Sequence, residues 1–169
     1  MTPFEKYLNH YLELIPSQNW LDEMKLVGKQ TLDLYQSFTE NESNFAYKEG
    51  KWSLKTLLEH LTDTEKVFAY RALCFARKDA TELPGFDEEL YAKNGTAHHQ
   101  SLENILEEFY LNRQLSLVFF SKLTNEQLAS EGKANGNTFT VETIGKWIVA
   151  HNIHHLNIIK ERYLPKMQL

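Results

Sequence analysis

The sequence predicts an all-α domain built as a four-helix bundle, and three observations carry that prediction. Glycine and proline are scarce, seven and four in 169 residues, and they punctuate the chain instead of being spread through it. The segments between them are long and repeat apolar residues at three-to-four-residue spacing, the period of a helix face. Two-residue alternation, the mark of a half-buried strand, is almost absent.

In chain order, a short helical piece is expected over residues 2–14, stopped near Pro16. The first long helix runs from about Trp20 to Phe38, where Leu21, Met24, Gly28, Leu32 and Tyr35 recur on one face. A polar stretch from Glu40 to Lys51 separates it from the second helix, which Ser53 caps and which runs from Leu54 to about Arg77. Residues 79–100 hold Pro84-Gly85-Phe86-Asp87 and no long apolar stripe. A connection of that length between the second and third helices exceeds what a compact domain needs, so residues 83–91 are a candidate lid. Ser101 caps a third helix reaching about Leu123, and a short turn of helix is expected at Asn125–Ser130. Gly132–Asn137 reads as a loop, and Thr140 caps a last helix that ends near Leu164, just before Pro165.

Composition bounds the class of protein. An apolar fraction of 42% over 169 residues fills one core, so residues 1–169 are expected to form a single domain. Lys and Arg number 18 against 23 Asp and Glu, a formal charge of -5 with no basic block, which argues against a nucleic-acid or anionic-membrane partner. The single cysteine, Cys74, has no internal disulfide partner, and its helical setting without an adjacent base reads as a small core hydrophobe. An N-terminal segment that carries an acid and no apolar run, and the lack of any stretch near the ~18 apolar residues of a membrane span, lead to the expectation of a soluble cytoplasmic protein.

Polar side chains on buried faces carry the chemistry. In the last helix His151 and His155 fall inside the arc drawn by Val141, Ile144, Trp147, Ile148, Leu156 and Ile159, while His154 lies at its edge. Imidazoles at i and i+4 project from one face about 6 Å apart at their bases, close enough for two nitrogens to converge on one metal. His60 borders the apolar stripe of the second helix, in line with Thr64, Val67 and Arg71. Facing the pair, it would complete three nitrogen ligands, the number found in open catalytic zinc sites; the alternative is that these histidines only hydrogen-bond in the core. Imidazole donors suit zinc, nickel, iron or copper better than magnesium or calcium.

Glu65 and Arg113 also lie on core-facing stripes of the second and third helices. An unpaired buried charge costs several kcal/mol, so they are expected to pair, with a fourth ligand or proton shuttle as the alternative role for Glu65. Asn152, on the inner arc of the last helix, needs a partner for the same reason. His10, His98 and His99 read as surface residues. Phosphate-cradling glycine loops, paired CxxC motifs and a G-x-S-x-G elbow are missing, which leaves nucleotide and serine hydrolysis without support.

Lys51-Trp52-Ser53, the run Glu59-His60-Leu61-Thr62-Asp63-Thr64-Glu65, Arg71, Leu83-Pro84-Gly85-Phe86-Asp87 and Ala150-His151-Asn152-Ile153-His154-His155-Leu156 together resemble the DinB-like superfamily, also called DinB/YfiT-like. The resemblance covers about Tyr7 to Leu164 and departs from the usual pattern at Ala150, where glycine is frequent. It implies up-down-down-up connectivity with the long crossover between helices 2 and 3, and a divalent metal, nickel or zinc, on His60, His151 and His155. It also implies a transferase or isomerase using a low-molecular-weight thiol such as bacillithiol or mycothiol. Glu65 and Arg113 would be supporting residues, and a homodimer would be the assembly; Trp20 and Tyr11 read as exposed aromatics that either serve such an interface or cover the bundle end. A metal-dependent hydrolase, or a stress-response module that binds metal without turnover, are the alternatives.

Overall fold

The computed structural model describes residues 3–167. In order these form α1 (Pro3–Leu12), α2 (Trp20–Gln36), α3 (Glu40–Ser43), α4 (Leu54–Ala76), α5 (Glu88–Asn94), α6 (Leu102–Ser121), α7 (Asn125–Leu128), β1 (Glu131–Ala134), β2 (Asn137–Thr140) and α8 (Val141–Ile158). A π-helical turn (Ile159–Tyr163) and α9 (Leu164–Met167) follow. The expected start of the first helical piece at Thr2 lies outside the described residues.

Each of the three predicted caps closes its helix. Ser53 accepts from the Thr56 amide, Ser101 from that of Asn104 and Thr140 from that of Thr143, which satisfies donors the first helical turn would leave bare. The long helices α2, α4, α6 and α8 then bury one face each. Met24, Tyr35, Leu54, Leu58, Phe75, Phe109, Phe120 and Ile144 are sealed between them.

Side-chain meetings give the directions. Glu40 binds both Lys55 at the start of α4 and the Leu102 amide at the start of α6, so these two helices set out side by side and run parallel. Lys66 meets Glu108 farther along the same pair. His60 faces His151 while Phe68 faces Trp147, so α4 and α8 are antiparallel. Trp20 meets Phe120, and Met24 meets Arg113, making α2 antiparallel to α6. The bundle is therefore up-down-down-up, with the residue 77–101 crossover joining two parallel helices.

Four expectations are corrected. The segment read as a loop at Gly132–Asn137 is the heart of a two-stranded antiparallel hairpin, turning at Asn135 and Gly136 with φ of 51° and 73°. Those angles are the mirror-image turn that hairpin twist favours, and an Asn-Gly pair adopts it at little cost. The crossover holds a helix of its own, α5, started by the Asp87 carboxylate accepting from the Leu90 amide. The last helix does not stop before Pro165. It widens at Ile159–Tyr163, where the Leu164 amide reaches back to Ile159, and so makes room for a ring that would collide with the carbonyl four residues earlier.

The aromatics expected to be exposed are not free for a dimer interface. Trp20 is buried edge-on against Phe120 at 5.4 Å, and Tyr11 is half-buried against Trp147 at 4.6 Å. Among the described residues, no helix is long and apolar enough to cross a membrane.

Candidate metal centre

Because α4 and α8 are antiparallel, a residue two turns into α4 faces the second half of α8. His60 stands there opposite His151 and His155, which one helical turn stacks on the same side of α8. His60 Nε2 lies 3.1 Å from His151 Nε2, and His155 Nε2 lies 3.0 Å from that same atom. One nitrogen from each ring falls within 4.8 Å of the other two.

That convergence is awkward for three imidazoles alone. A neutral ring nitrogen carries either one hydrogen or one lone pair, so His151 Nε2 cannot serve both neighbours well in a single tautomer. Charging the rings does not help. Burial pushes His60 down to about 4 and His155 to about 3, with the charges of neighbouring histidines adding to the effect on His155. It holds His151 well below the ordinary histidine range, reinforced by the rings of His155 and His60. The cluster is thus three neutral nitrogen donors aimed at one point, which a divalent cation would satisfy together. Among the described residues His155 Nδ1 is buried without a hydrogen-bond partner, so no acceptor on the far side of this ring holds its tautomer.

Aromatic rings wall the cluster. Trp52 lies 4.7 Å from the His60 ring, and Trp147 stacks near His151 at 6.3 Å and 16°. A cavity of about 240 Å³ opens over all three histidines, lined also by Thr64, Phe86, Glu88 and His154. His154 does point aside, onto Tyr11 at 4.9 Å, and burial lowers its pKa. Glu88 supplies the one carboxylate on this wall among the described residues, and burial raises it, helped by Glu89 and Asp87. His155 also lines a second cavity, of about 160 Å³, on the side of Tyr47, Lys51 and Arg162.

Glu65 and Arg113 do not enter the cluster. Arg113 donates from Nε and Nη2 to the Glu65 carboxylate at 2.8–3.1 Å, from Nη2 to Asn152 Oδ1 at 2.9 Å, and from Nη1 to the Met24 carbonyl at 2.9 Å. Asn152 Nδ2 donates to Thr31 Oγ1 at 2.9 Å. The network lies beneath the histidines and fixes α4, α6, α8 and α2 together. His10, His98 and His99 are exposed, and Cys74 is buried. The 83–91 segment is pinned at its start, with the Leu83 amide on the Lys133 carbonyl at 2.9 Å, and forms part of the cavity wall through Phe86 and Glu88. Glu88 and Trp147 were not singled out as site residues in the sequence. The first lies in a connection without periodicity, and the second reads as an ordinary core aromatic.

An up-down-down-up helical bundle with three imidazoles converging between its second and fourth long helices defines a class of bundle proteins equipped to hold a metal ion. The chain belongs to the DinB superfamily, whose model matches residues 23–159. It is 23% identical over 143 residues to OB0413 of Oceanobacillus iheyensis, a protein named as a candidate metal-dependent hydrolase, covering 83% of this chain and 82% of that one. Its fold is similar to that of YfiT from Bacillus subtilis, described as a probable metal-dependent hydrolase with an unusual four-helix bundle topology. The TM-score is 0.72 at 18% identity, over 84% of this chain and 82% of YfiT. It is similar also to a mycothiol-dependent maleylpyruvate isomerase, with TM-score 0.70 at 10% identity, over 90% of this chain and 63% of the isomerase.

Proposed function

We propose that the protein is a divalent-metal-dependent enzyme in which His60, His151 and His155 hold nickel or zinc and the nucleophile is the sulfur of a low-molecular-weight thiol, transferred to a small electrophilic acceptor. The observation that carries this reading is the pair of cavities meeting at His155, about 240 and 160 Å³. One water claims only about 30 Å³, so the space suits a nucleophile far larger than water and a second reactant beside it. Cys74, the single cysteine of the chain, is buried and lines neither cavity, so it does not compete as the nucleophile.

A divalent ion on three imidazoles supplies Lewis acidity, which favours the deprotonated form of a thiol brought beside it. The chain's own groups do the rest. Trp52, Trp147 and Tyr11 exclude bulk water. His154, kept neutral by burial, and Glu88 are the groups on the wall that can accept the proton the thiol gives up. We assign the reaction to the reducing cytoplasm, where such thiols stay reduced, with no nucleic acid or membrane as partner.

The test is a panel of low-molecular-weight thiols with electrophilic acceptors, run on zinc- and nickel-loaded protein against His151→Ala. Metal-dependent thiol consumption that His151→Ala abolishes is the expected result; turnover unaffected by metal or by the substitution would overturn the reading. Hydrolysis is the second reading, favoured by the placement of Glu88, which could draw a proton from water. A non-catalytic metal-binding module would show metal uptake and no turnover with either nucleophile.

The homodimer is part of the same proposal. Tyr70 and Leu73 on α4 and Leu111 and Leu115 on α6 remain exposed, and Leu115 is 68% accessible. Sedimentation tests it: a dimer that Leu115→Asp dissociates supports the assembly, and a wild-type monomer removes it.

A further inference from the structure

Arg71 is a second buried polar group on the cavity face of α4. It is 4% exposed, yet its Nη2 makes one hydrogen bond, to the Pro84 carbonyl at 2.8 Å, and no carboxylate pairs with it among the described residues. Its guanidinium lies 4.9 Å from the Phe68 ring centre and 6.0 Å from that of Phe86. One neutral acceptor leaves the guanidinium charge without a counterion, and none of its other nitrogens is sealed away without a partner, so they are open to the cavity it lines. Arg113, equally buried, shows the contrast, with Glu65, Asn152 and Met24 all accepting from it.

Arg71 faces space that a ligand could fill. It lines a cavity of about 150 Å³ whose walls Tyr7, Phe68, Phe86 and Trp147 also belong to the cavity over the histidines. Two polar atoms between them, Thr64 Oγ1 and Trp147 Nε1, are buried without partners among the described residues, and both residues line the histidine cavity. His60, Thr64, Phe68 and Arg71 mark successive turns of one α4 face. Side chains on a helix lean toward its N-terminus, which brings the guanidinium over Phe68, roughly 12 Å along the axis from His60.

We propose that Arg71 binds the carboxylate of an elongated small molecule whose reactive end lies at His60, His151 and His155, with Thr64 Oγ1 and Trp147 Nε1 hydrogen-bonding its middle. The proposal deepens the metal-dependent reading and rests on it only for the reactive end. A carboxylate fits better than a phosphate monoester, because one guanidinium between phenyl rings balances one negative charge and a phosphate carries nearly two.

The test uses ω-mercaptoalkanoates of about three to eleven carbons, the lengths that bracket a ~12 Å span. The matching plain alkanoates and the methyl ester of each are titrated beside them by tryptophan fluorescence into zinc-loaded and metal-free protein. Wild type is expected to bind acids about tenfold or more tighter than their esters in both forms, the worth of a charged hydrogen bond. Arg71→Met should erase that preference. Methionine keeps the packing and removes an unpaired charge, so this variant should melt no lower than wild type, whereas an arginine serving only to hold Pro84 would leave a destabilised protein with ligand preference intact.

No acid preference in wild type, or its survival in Arg71→Met, would overturn the proposal. If Arg71→Met does not fold, Arg71→Lys, which keeps charge but loses the planar fork, should weaken the preference several-fold, and an unchanged preference would count against us. A protein that binds no zinc but still prefers acids upholds Arg71 and removes the metal reading; zinc binding without acid preference does the reverse. Tighter binding of the mercapto acid than the plain acid by zinc-loaded protein, at the bridging length, assigns the carboxylate to the thiol. Equal binding assigns it to the acceptor.

Discussion

Arg113 crosses the bundle core from α6 to grip Glu65 on α4 as a fork, with Nε 3.0 Å from Oε1 and Nη2 2.8 Å from Oε2. Glu65 is five residues beyond His60, and Asn152, which also accepts from Arg113, follows His151 directly. The ion pair therefore sets the spacing of the two helices that present the imidazoles, without touching the imidazoles themselves.

Removing one partner should show this. Glu65→Ala leaves a buried guanidinium uncompensated and should cost about 3–5 kcal/mol in urea unfolding. A double replacement, Glu65→Leu with Arg113→Met, should recover most of that loss, since well-packed apolar groups often substitute for a buried pair. Metal content decides the other role considered for Glu65: folded Glu65→Gln that still binds one equivalent shows the carboxylate is not a ligand, and loss of the metal shows that it is.

Metal content also tests the three histidines. With untagged protein, His60→Ala and His155→Ala should each lower zinc or nickel affinity by at least about tenfold, because a three-donor site reduced to two loses its chelate geometry. His154→Ala should leave it unchanged, since that ring packs on Tyr11 at 4.9 Å. Equal losses in all three variants would point to nonspecific surface binding.

The metal-free protein should weaken on mild acidification. Folding keeps His60 near about 4 and His155 near about 3, where an unfolded histidine titrates near 6.5. Below about pH 6.5 the unfolded chain binds protons that the folded chain refuses, so stability is full above that pH and falls as pH drops toward 4. Each imidazole contributes at most about 1.4 kcal/mol per pH unit in that window. Urea midpoints at about pH 7.5, 6 and 5 read the slope, and His155→Asn should make it shallower. A flat profile would mean that the rings are charged, or solvated, in the folded protein.

Glu88 separates the two reactions. A hydrolase that draws a proton from water through this carboxylate should lose about 10²–10⁴-fold in turnover on Glu88→Gln, while thiol transfer, whose nucleophile is far more acidic, should lose much less. The readout is kcat with KM, each measured with water and with thiol as nucleophile. Equal small effects on both would leave Glu88 as wall alone.

What the sequence could reveal depended on whether the signal was local. Ser53, Ser101 and Thr140 mark helix starts because a cap acts on the amide three residues away, and the convergence of His60, His151 and His155 is legible because angular position on a helix follows from number alone. The hairpin is hard to read because two four-residue strands show no alternation, although Asn135-Gly136 is itself a turn signal. Periodicity leaves open whether Trp20 is exposed or covers the bundle end, because it names a face and not its neighbour; Phe120 lies a hundred residues away. Arg71 belongs to a sequence motif, but only the structure shows that no carboxylate among the described residues meets it.

Gly28 gives the last prediction, and it bears on the same ion pair. A Cβ placed there would sit 2.8 Å from Arg113 Nη1 and 3.1 Å from its Cγ. In an exposed helix, alanine for glycine would stabilise by about 1 kcal/mol. Here the guanidinium cannot retreat, because Glu65, Asn152 and the Met24 carbonyl all hold it at 2.8–3.1 Å. Overpacking of this kind costs about 1–3 kcal/mol, so Gly28→Ala should destabilise despite its better helix propensity. Combining it with Arg113→Met removes the obstacle and lets the propensity gain appear. In a double-mutant cycle from urea unfolding, Gly28→Ala should change sign between the two backgrounds; the same sign in both would mean that α2 can shift away from Arg113, and that the fork does not fix the distance between the helices.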